Sequence, residues 1–145
     1  MIDTEIARAT LADVPAVRDL LTAAGLPLAG VDAALELALV AHEDGVLLGC
    51  AAIERYDPDG MLRSVCVAED RRGTGLGRAL VEAAEDLARE AGIERLWLLT
   101  ETAIDWFPRF GYVRLSRSEA PPAVASSVEF AEACPDSAVL MAKKL

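Results

Sequence analysis

Between Thr10 and Ala24 apolar residues recur every three or four positions, the period of a helix with one buried face. Leu11, Val14, Val17, Leu20 and Leu21 make that face. Thr10 reads as its N-cap, with Asp13 three residues on, and Gly25 as its stop. A short strand, Thr4 to Ala9, precedes it, and a second short helix is predicted over Val31 to Leu37. The pattern then becomes strand-like. Leu39 to Glu43 and Val46 to Tyr56 flank Asp44-Gly45, a two-residue hairpin turn. Asp57-Pro58-Asp59-Gly60 reads as a further turn, and Met61 to Ala68 as a third antiparallel strand. A glycine-rich loop, Arg71 to Gly77, leads into a long helix that ends near Ala91-Gly92. Leu80, Val81, Ala84, Leu87 and Ala88 form its packed face, opposite Glu82, Glu85, Asp86 and Arg89. Arg95 to Thr100 is a buried strand, Ala103 to Phe110 a short helix, and Tyr112 to Leu115 a strand. A helical turn reaches Glu132, and Ser137 to Ala142 closes as the last strand. This order predicts an α+β fold, a mixed and mostly antiparallel sheet rather than alternating βαβ units.

Composition narrows the classes of partner. The 145 residues predict one domain, 1–145, large enough to bury a core without disulfides or metal. The formal charge is -10, so the chain lacks the basic footprint that nucleic acid or an anionic membrane requires. No apolar run approaches the ~18–20 residues of a membrane span. No secretory signal opens the chain. Three cysteines, Cys50, Cys66 and Cys134, stand in no metal-site spacing, so a reducing cytoplasm is the expected setting. Asn and Gln are absent, and of 14 basic residues only Lys143 and Lys144 are lysines.

The segment Leu62 to Leu80 departs from that acidity. A strand runs through an acidic turn, Ala68-Glu69-Asp70, into Arg71-Arg72-Gly73-Thr74-Gly75-Leu76-Gly77 and a helix. Glycines at a helix N-terminus let backbone N–H groups approach an anion, and the helix dipole favours negative charge there. Arg71, Arg72 and Arg78 gather at the same point. The physical reading is a diphosphate site; a plain glycine turn before a helix is the bland one. The spacing is not the G-x-G-x-x-G of a dinucleotide fold, and no Gly-Lys-Ser/Thr marks a P-loop.

This strand–loop–helix resembles the acetyl-CoA site of the GNAT acetyltransferases. Their Arg/Gln-x-x-Gly-x-Gly/Ala fingerprint is matched by Arg72 to Gly77. Element order agrees too, and Ala103 to Tyr112 looks like the family's later helix–Gly–aromatic element. The resemblance implies a GNAT-like twisted sheet with helices on both faces, acetyl-CoA as co-substrate and no metal. It implies that Arg72, Gly73, Thr74, Gly75, Leu76, Gly77 and Arg78 hold the pyrophosphate. Val65, Cys66 and Val67 would pair by backbone with the pantetheine arm, like an added strand. That strand and the one at Leu96 to Thr100 would splay apart around the acetyl group. Family members are often homodimers, which an exposed terminal strand would allow. Ser127 to Phe130, Ala133 to Met141 and Leu98 to Ala103 are similar to the GNAT subgroup associated with arsenic-resistance operons.

One position breaks the pattern. The family's later helix often carries a Tyr that protonates the leaving thiolate; here Phe107 stands there, and a phenyl ring donates no proton. Thr100 stands where many members have Asn, and is a candidate donor through a water. For the base that takes the amine's proton, Glu54 is the first candidate and Glu101 the second. Arg63 reads as an exposed strand residue before it reads as a neighbour of the pocket. His42 reads as structural, and Trp97 and Trp106 as core or as walls of an acceptor pocket. Cys50 and Cys66, on neighbouring strands, read as small buried hydrophobes before they read as ligands for a soft metal or arsenical. The function implied is acetyl transfer by direct attack of a small-molecule amine, with an amino-acid-like toxin or an arsenic compound as acceptor classes. The alternative is a CoA-binding sensor without catalysis.

Overall fold

The structure is a computed structural model that describes residues 4–31, 33–127 and 137–145. Seven strands form one sheet: β1 (Glu5–Arg8), β2 (Ala38–Glu43), β3 (Val46–Tyr56), β4 (Asp59–Val67), β5 (Arg95–Thr100), β6 (Val113–Leu115) and β7 (Val139–Lys144). Their spatial order is β1-β2-β3-β4-β5-β7-β6. Every pairing is antiparallel except β4 with β5, which run parallel. The C-terminal strand β7 is paired on both sides, so of the two terminal strands only β1 leaves an open edge.

Alternation along the strands sends neighbours to opposite faces. Helix α2 (Leu76–Glu90) covers the face of Leu39, Ala41, Ala51, Ile53 and Leu62. Helix α1 (Val14–Ala23) covers the other, with Val17 and Leu21 against Val40, Cys50 and Cys66. The single-turn α3 (Pro122–Ala125) shares α1's side, where Val124 packs with Met61, Trp97 and Leu140. Helices therefore flank both faces of the sheet.

Local chemistry accounts for the boundaries. Asp13 accepts from the Thr10 backbone N–H at 2.8 Å, which closes the capping box. Yet Leu11 is 80% exposed, not inward. It lies in a 3₁₀ turn, Leu11–Asp13, whose three-residue period puts it out of phase with α1. The expected helix over Val31 to Leu37 is likewise a 3₁₀ segment, Ala33–Leu37. Asp44 and Gly45 both take positive φ, +50° and +76°, as the hairpin turn requires. The following turn is shorter than its sequence implied. Only Asp57 and the cis-linked Pro58 turn, while Asp59 and Gly60 already pair with Tyr56 and Arg55. Gly60 serves packing: a β-carbon there would meet Ile53 and Ile93 at 3.0 Å. The Ala103–Phe110 helix is reduced to turns and a 3₁₀ segment, Phe107–Phe110, that ends at Gly111 (φ +95°). The helical turn expected to reach Glu132 lies, beyond Ser127, outside the described residues, as does Cys134.

Candidate active site

A bulge opens the sheet. Cys50 pairs with Cys66 and Ala52 with Arg63, so Ser64 and Val65 together oppose Ala51. Ser64 takes φ +56°, costly for a residue with a β-carbon. β4 and β5 remain paired only from Asp59–Arg95 to Met61–Trp97. Beyond Met61 they diverge, as the splayed-strand expectation required. The gap is a cavity of about 290 Å³ whose walls include Arg63, Val65, Leu98, Thr100, Glu101 and Phe107. Gly25, Leu26 and Pro27 close one side. A groove of about 420 Å³ shares Val65, Thr102, Ala103 and Phe107 with it and runs on along Cys66 and Val67 to the glycine loop.

The loop meets α2 in the geometry an anion site needs. Gly73 and Gly75 hold φ +78° and +91°. α2 begins at Leu76, two residues before the sequence placed it, and its first N–H groups have no intrahelical acceptor. Arg72, Gly73, Gly75, Gly77 and Arg78 line the groove. Two predicted members do so by backbone at most. Thr74 turns its hydroxyl back to the Arg71 carbonyl, and Leu76 packs its side chain into the core. Arg71 also leaves the cluster, held by Glu43 and Asp70 at 3.4 Å each. Arg72 donates Nε to the Val67 carbonyl at 3.2 Å. Arg78 pairs with Glu82 and lies 5.8 Å over the Phe110 ring.

Aromatics build the opposite wall. Trp106 meets Phe107 and Phe110 edge-on, with ring centroids 4.9 and 4.7 Å away. Phe107, 6% exposed, meets Tyr112 in the same way at 5.5 Å. Tyr112 donates to the buried Glu85, which also receives Lys143 Nζ at 3.0 Å. Burial first, then the Glu85 charge, drives the Tyr112 hydroxyl far above its usual range. Trp97 takes no part: it lies on the α3 side of the sheet and donates to Asp59 at 2.9 Å.

The polar groups differ most from expectation. Glu54 does not line the cavity. Arg63 Nη1 lies 2.8 Å from its Oε1, and the Tyr56 hydroxyl donates to its Oε2. Each carboxylate oxygen thus holds one donor, and the group faces Arg63 and Tyr56 rather than the cavity. Arg63, expected on the surface, has a fully buried side chain and lines the cavity. The alternation Met61, Arg63 on the sheet's inner face was the signal for it. Glu101 is exposed and is the only carboxylate among the described cavity walls. Thr100 Oγ1 accepts the Ala103 N–H at 3.0 Å, which leaves its own proton to donate. His42 stands away from both clefts, 3.2 Å from Asp13. Burial pushes the Cys50 thiol up to about 12, with Cys66 adding to the rise. The Cys66 thiol is also raised, again chiefly by burial. Among the described residues no group of three or more His, Cys, Asp or Glu is placed to hold a metal.

Residues 18–112 match the Acetyltransferase (GNAT) family, and the chain belongs to it. The amino-acid acetyltransferase of Mannheimia succiniciproducens is 38% identical over 85 residues, 57% of this chain and 19% of that protein. That of Pasteurella multocida is 33% identical over 113 residues, 72% of this chain and 26% of that protein. The chain thus spans about a quarter or less of the curated relatives it matches. N-acetylglutamate synthase from Neisseria gonorrhoeae, complexed with coenzyme A and N-acetyl-glutamate, superposes with a TM-score of 0.85 at 23% identity, over 100% of this chain and 36% of that one. Rv2747 from Mycobacterium tuberculosis, in complex with CoA, gives 0.82 at 22% identity over 97% and 99%.

Proposed function

We propose that the protein is an acetyl-CoA-dependent N-acetyltransferase whose acceptor is a small amino-acid-like amine. The observation that carries this reading is the continuity of the two clefts: the groove at the glycine-rich helix start runs along one strand into the cavity between β4 and β5. Backbone N–H groups from Gly73 to Gly77, with Arg72 and Arg78, hold the pyrophosphate. The bulged end of β4, Val65 to Val67, offers its backbone to the pantetheine arm. Phe107 packs where the thioester lies.

The amine attacks the thioester carbonyl carbon, the C–N bond forms, and the C–S bond breaks to release CoA thiolate. Because the amine arrives as an ammonium, it must first lose a proton. Glu101, at the cavity mouth, takes it directly or through water. Glu54 does not line the cavity and is left out of that step. A thiol pKa near 8.5 makes the thiolate a tolerable leaving group without a phenol, and the second proton lost by the attacking nitrogen can reach it with a water and the Thr100 hydroxyl as relay. Direct attack fits better than an acetyl-enzyme, since the Cys66 thiol is pushed up and His42 faces Asp13.

Arg63 at the inner end and Glu101 at the mouth give the cavity one cation and one carboxylate. That pair complements an amino acid's carboxylate and ammonium, in line with the acceptor class in the names of the sequence relatives. An arsenic-containing amino acid analogue would offer the same two groups. Direct capture of arsenic by Cys50 and Cys66 fits poorly, since both thiols are held protonated by burial.

Acetyl-CoA should raise the melting temperature, by about 2.7 kcal/mol of stabilisation at a hundredfold excess over Kd. Gly75→Glu should abolish that shift: nothing crowds the new side chain, but φ +91° strains the loop and the carboxylate repels the diphosphate, so both effects oppose binding. No shift at millimolar acetyl-CoA would contradict the cofactor assignment. Phe107 favours a second reading, a CoA-binding sensor, which predicts the shift but no turnover on any amine.

A further inference from the structure

We propose that Glu54 and Arg63 form a clasp that holds the 25–31 loop against the cavity, so that this pair sets acceptor affinity rather than chemistry. The proposal rests on the reading of that cavity as the acceptor site. Arg63 reaches three elements from one buried position. Its Nη1 is 2.8 Å from Glu54 Oε1 on β3, its Nε 3.1 Å from Ser64 Oγ in the bulge, and its Nη2 3.4 Å from the Pro27 carbonyl in the loop. Tyr56 fixes the far oxygen of Glu54. The loop seats directly on the pair. A β-carbon at Gly30 would stand 2.8 Å from Arg63 Nη1 and 3.2 Å from Glu54 Oε1, and Gly30 itself holds φ +80°. Only a glycine brings the backbone that close. The same loop supplies Gly25, Leu26 and Pro27 to the cavity wall. Its other anchor is apolar: Leu26, Leu28 and Val31 pack with Val17, Leu21 and Cys50.

A planar guanidinium suits this task because its fork fixes several directions at once, which a lysine ammonium does not. Withdrawing the carboxylate frees the guanidinium to move, and the loop loses the surface it rests on. Displacing the loop from its own side has the same result with the ion pair intact. Glu54 and Arg63 are therefore positioning residues with respect to the loop, whatever else Arg63 contacts.

Two variants test this from opposite sides. Glu54→Gln removes the charge, and Gly30→Ala pushes the loop off the pair. Kinetics use acetyl-CoA with a panel of single amino acids, and the best-used one serves as acceptor. Both variants should raise the acceptor KM about tenfold while kcat and the acetyl-CoA KM stay within about threefold. Hydrogen exchange at residues 25–31 should quicken about tenfold in each, a readout that needs no acceptor. An acetyl-CoA melting shift equal to the wild type's shows that each variant is folded. Loss of kcat in Glu54→Gln at unchanged KM would overturn the clasp and return Glu54 to the role of base. Unchanged exchange in Gly30→Ala would overturn it even if Glu54→Gln failed to fold. If the wild type used no amino acid, the acceptor reading would fall, and the exchange result alone would decide the clasp.

Discussion

The indole of Trp106 lies over the α-carbon of Gly77: a β-carbon on Gly77 would stand 3.2 Å from Trp106 Cζ2. This contact sets the distance between the first turn of α2 and the aromatic wall of the groove. Gly77→Ala has two opposing effects. It gains helix propensity of about 0.5–1 kcal/mol, and it forces Trp106 outward by a few tenths of an ångström. The expected outcome is a melting temperature at or above wild type with a several-fold higher acetyl-CoA KM. Thermal denaturation and steady-state kinetics on one preparation check both halves.

Phe107→Tyr restores a phenol at the position where the wider family often carries its acid. The ring meets Trp106 and Tyr112 edge-on and lines both clefts. Since the thiolate leaves tolerably by itself, kcat should rise by no more than about tenfold, well short of the full range for general acid catalysis. Initial rates across pH test this, and a fall in kcat would contradict the placement of Phe107 beside the thioester.

Alkaline pH should weaken the fold through Cys50. Below pH ~8.5 both folded and unfolded chains keep the thiol proton. Above it the unfolded chain loses the proton, while the folded chain keeps it up to about 12. The unfolded state then binds fewer protons, so the free energy of unfolding falls with rising pH, by about 1.4 kcal/mol per unit for this thiol. Tyr56, also pushed up to about 12, adds to the fall at higher pH. Urea denaturation between pH ~8 and ~10.5 should show the decline, and Cys50→Ala should make it shallower, leaving the share of Cys66 and the tyrosines.

Lys143→Met should cost about 3 kcal/mol, because it removes the cation paired with the buried Glu85, whose carboxylate also accepts from the Tyr112 hydroxyl. The double variant Lys143→Met/Glu85→Gln should regain much of that loss. Urea midpoints of Lys143→Met, Glu85→Gln and the double variant measure it, and an additive double variant would contradict the pairing.

Periodicity and turn chemistry made most of the fold legible. β3 and β5 occupy the residues their patterns mark, and the Asp44-Gly45 turn is as its residue types require. The misreadings share a cause: a local signal whose real partner is distant in sequence. Gly60 looked like a turn residue, but it makes room for Ile53, Ile93 and Leu96. Leu11 fits the helix period, but a 3₁₀ turn shifts its phase. In the site, the Arg72–Gly77 loop stood out because its chemistry is contiguous. Glu54 and Arg63 did not, because the register that places them on one face of β3 and β4 is set by the two-residue Asp57-Pro58 turn, where the sequence read a four-residue turn. Without that register, a strand carboxylate looks like a base and a strand arginine like surface.

The central claim is tested most directly by mass spectrometry of the products when the protein, acetyl-CoA and a panel of amino acids are incubated together. The account predicts an N-acetylated amino acid and free CoA in equal amounts, and loss of both in Gly75→Glu. Acetyl-CoA left intact across the whole panel, despite a melting shift that shows it bound, would contradict it.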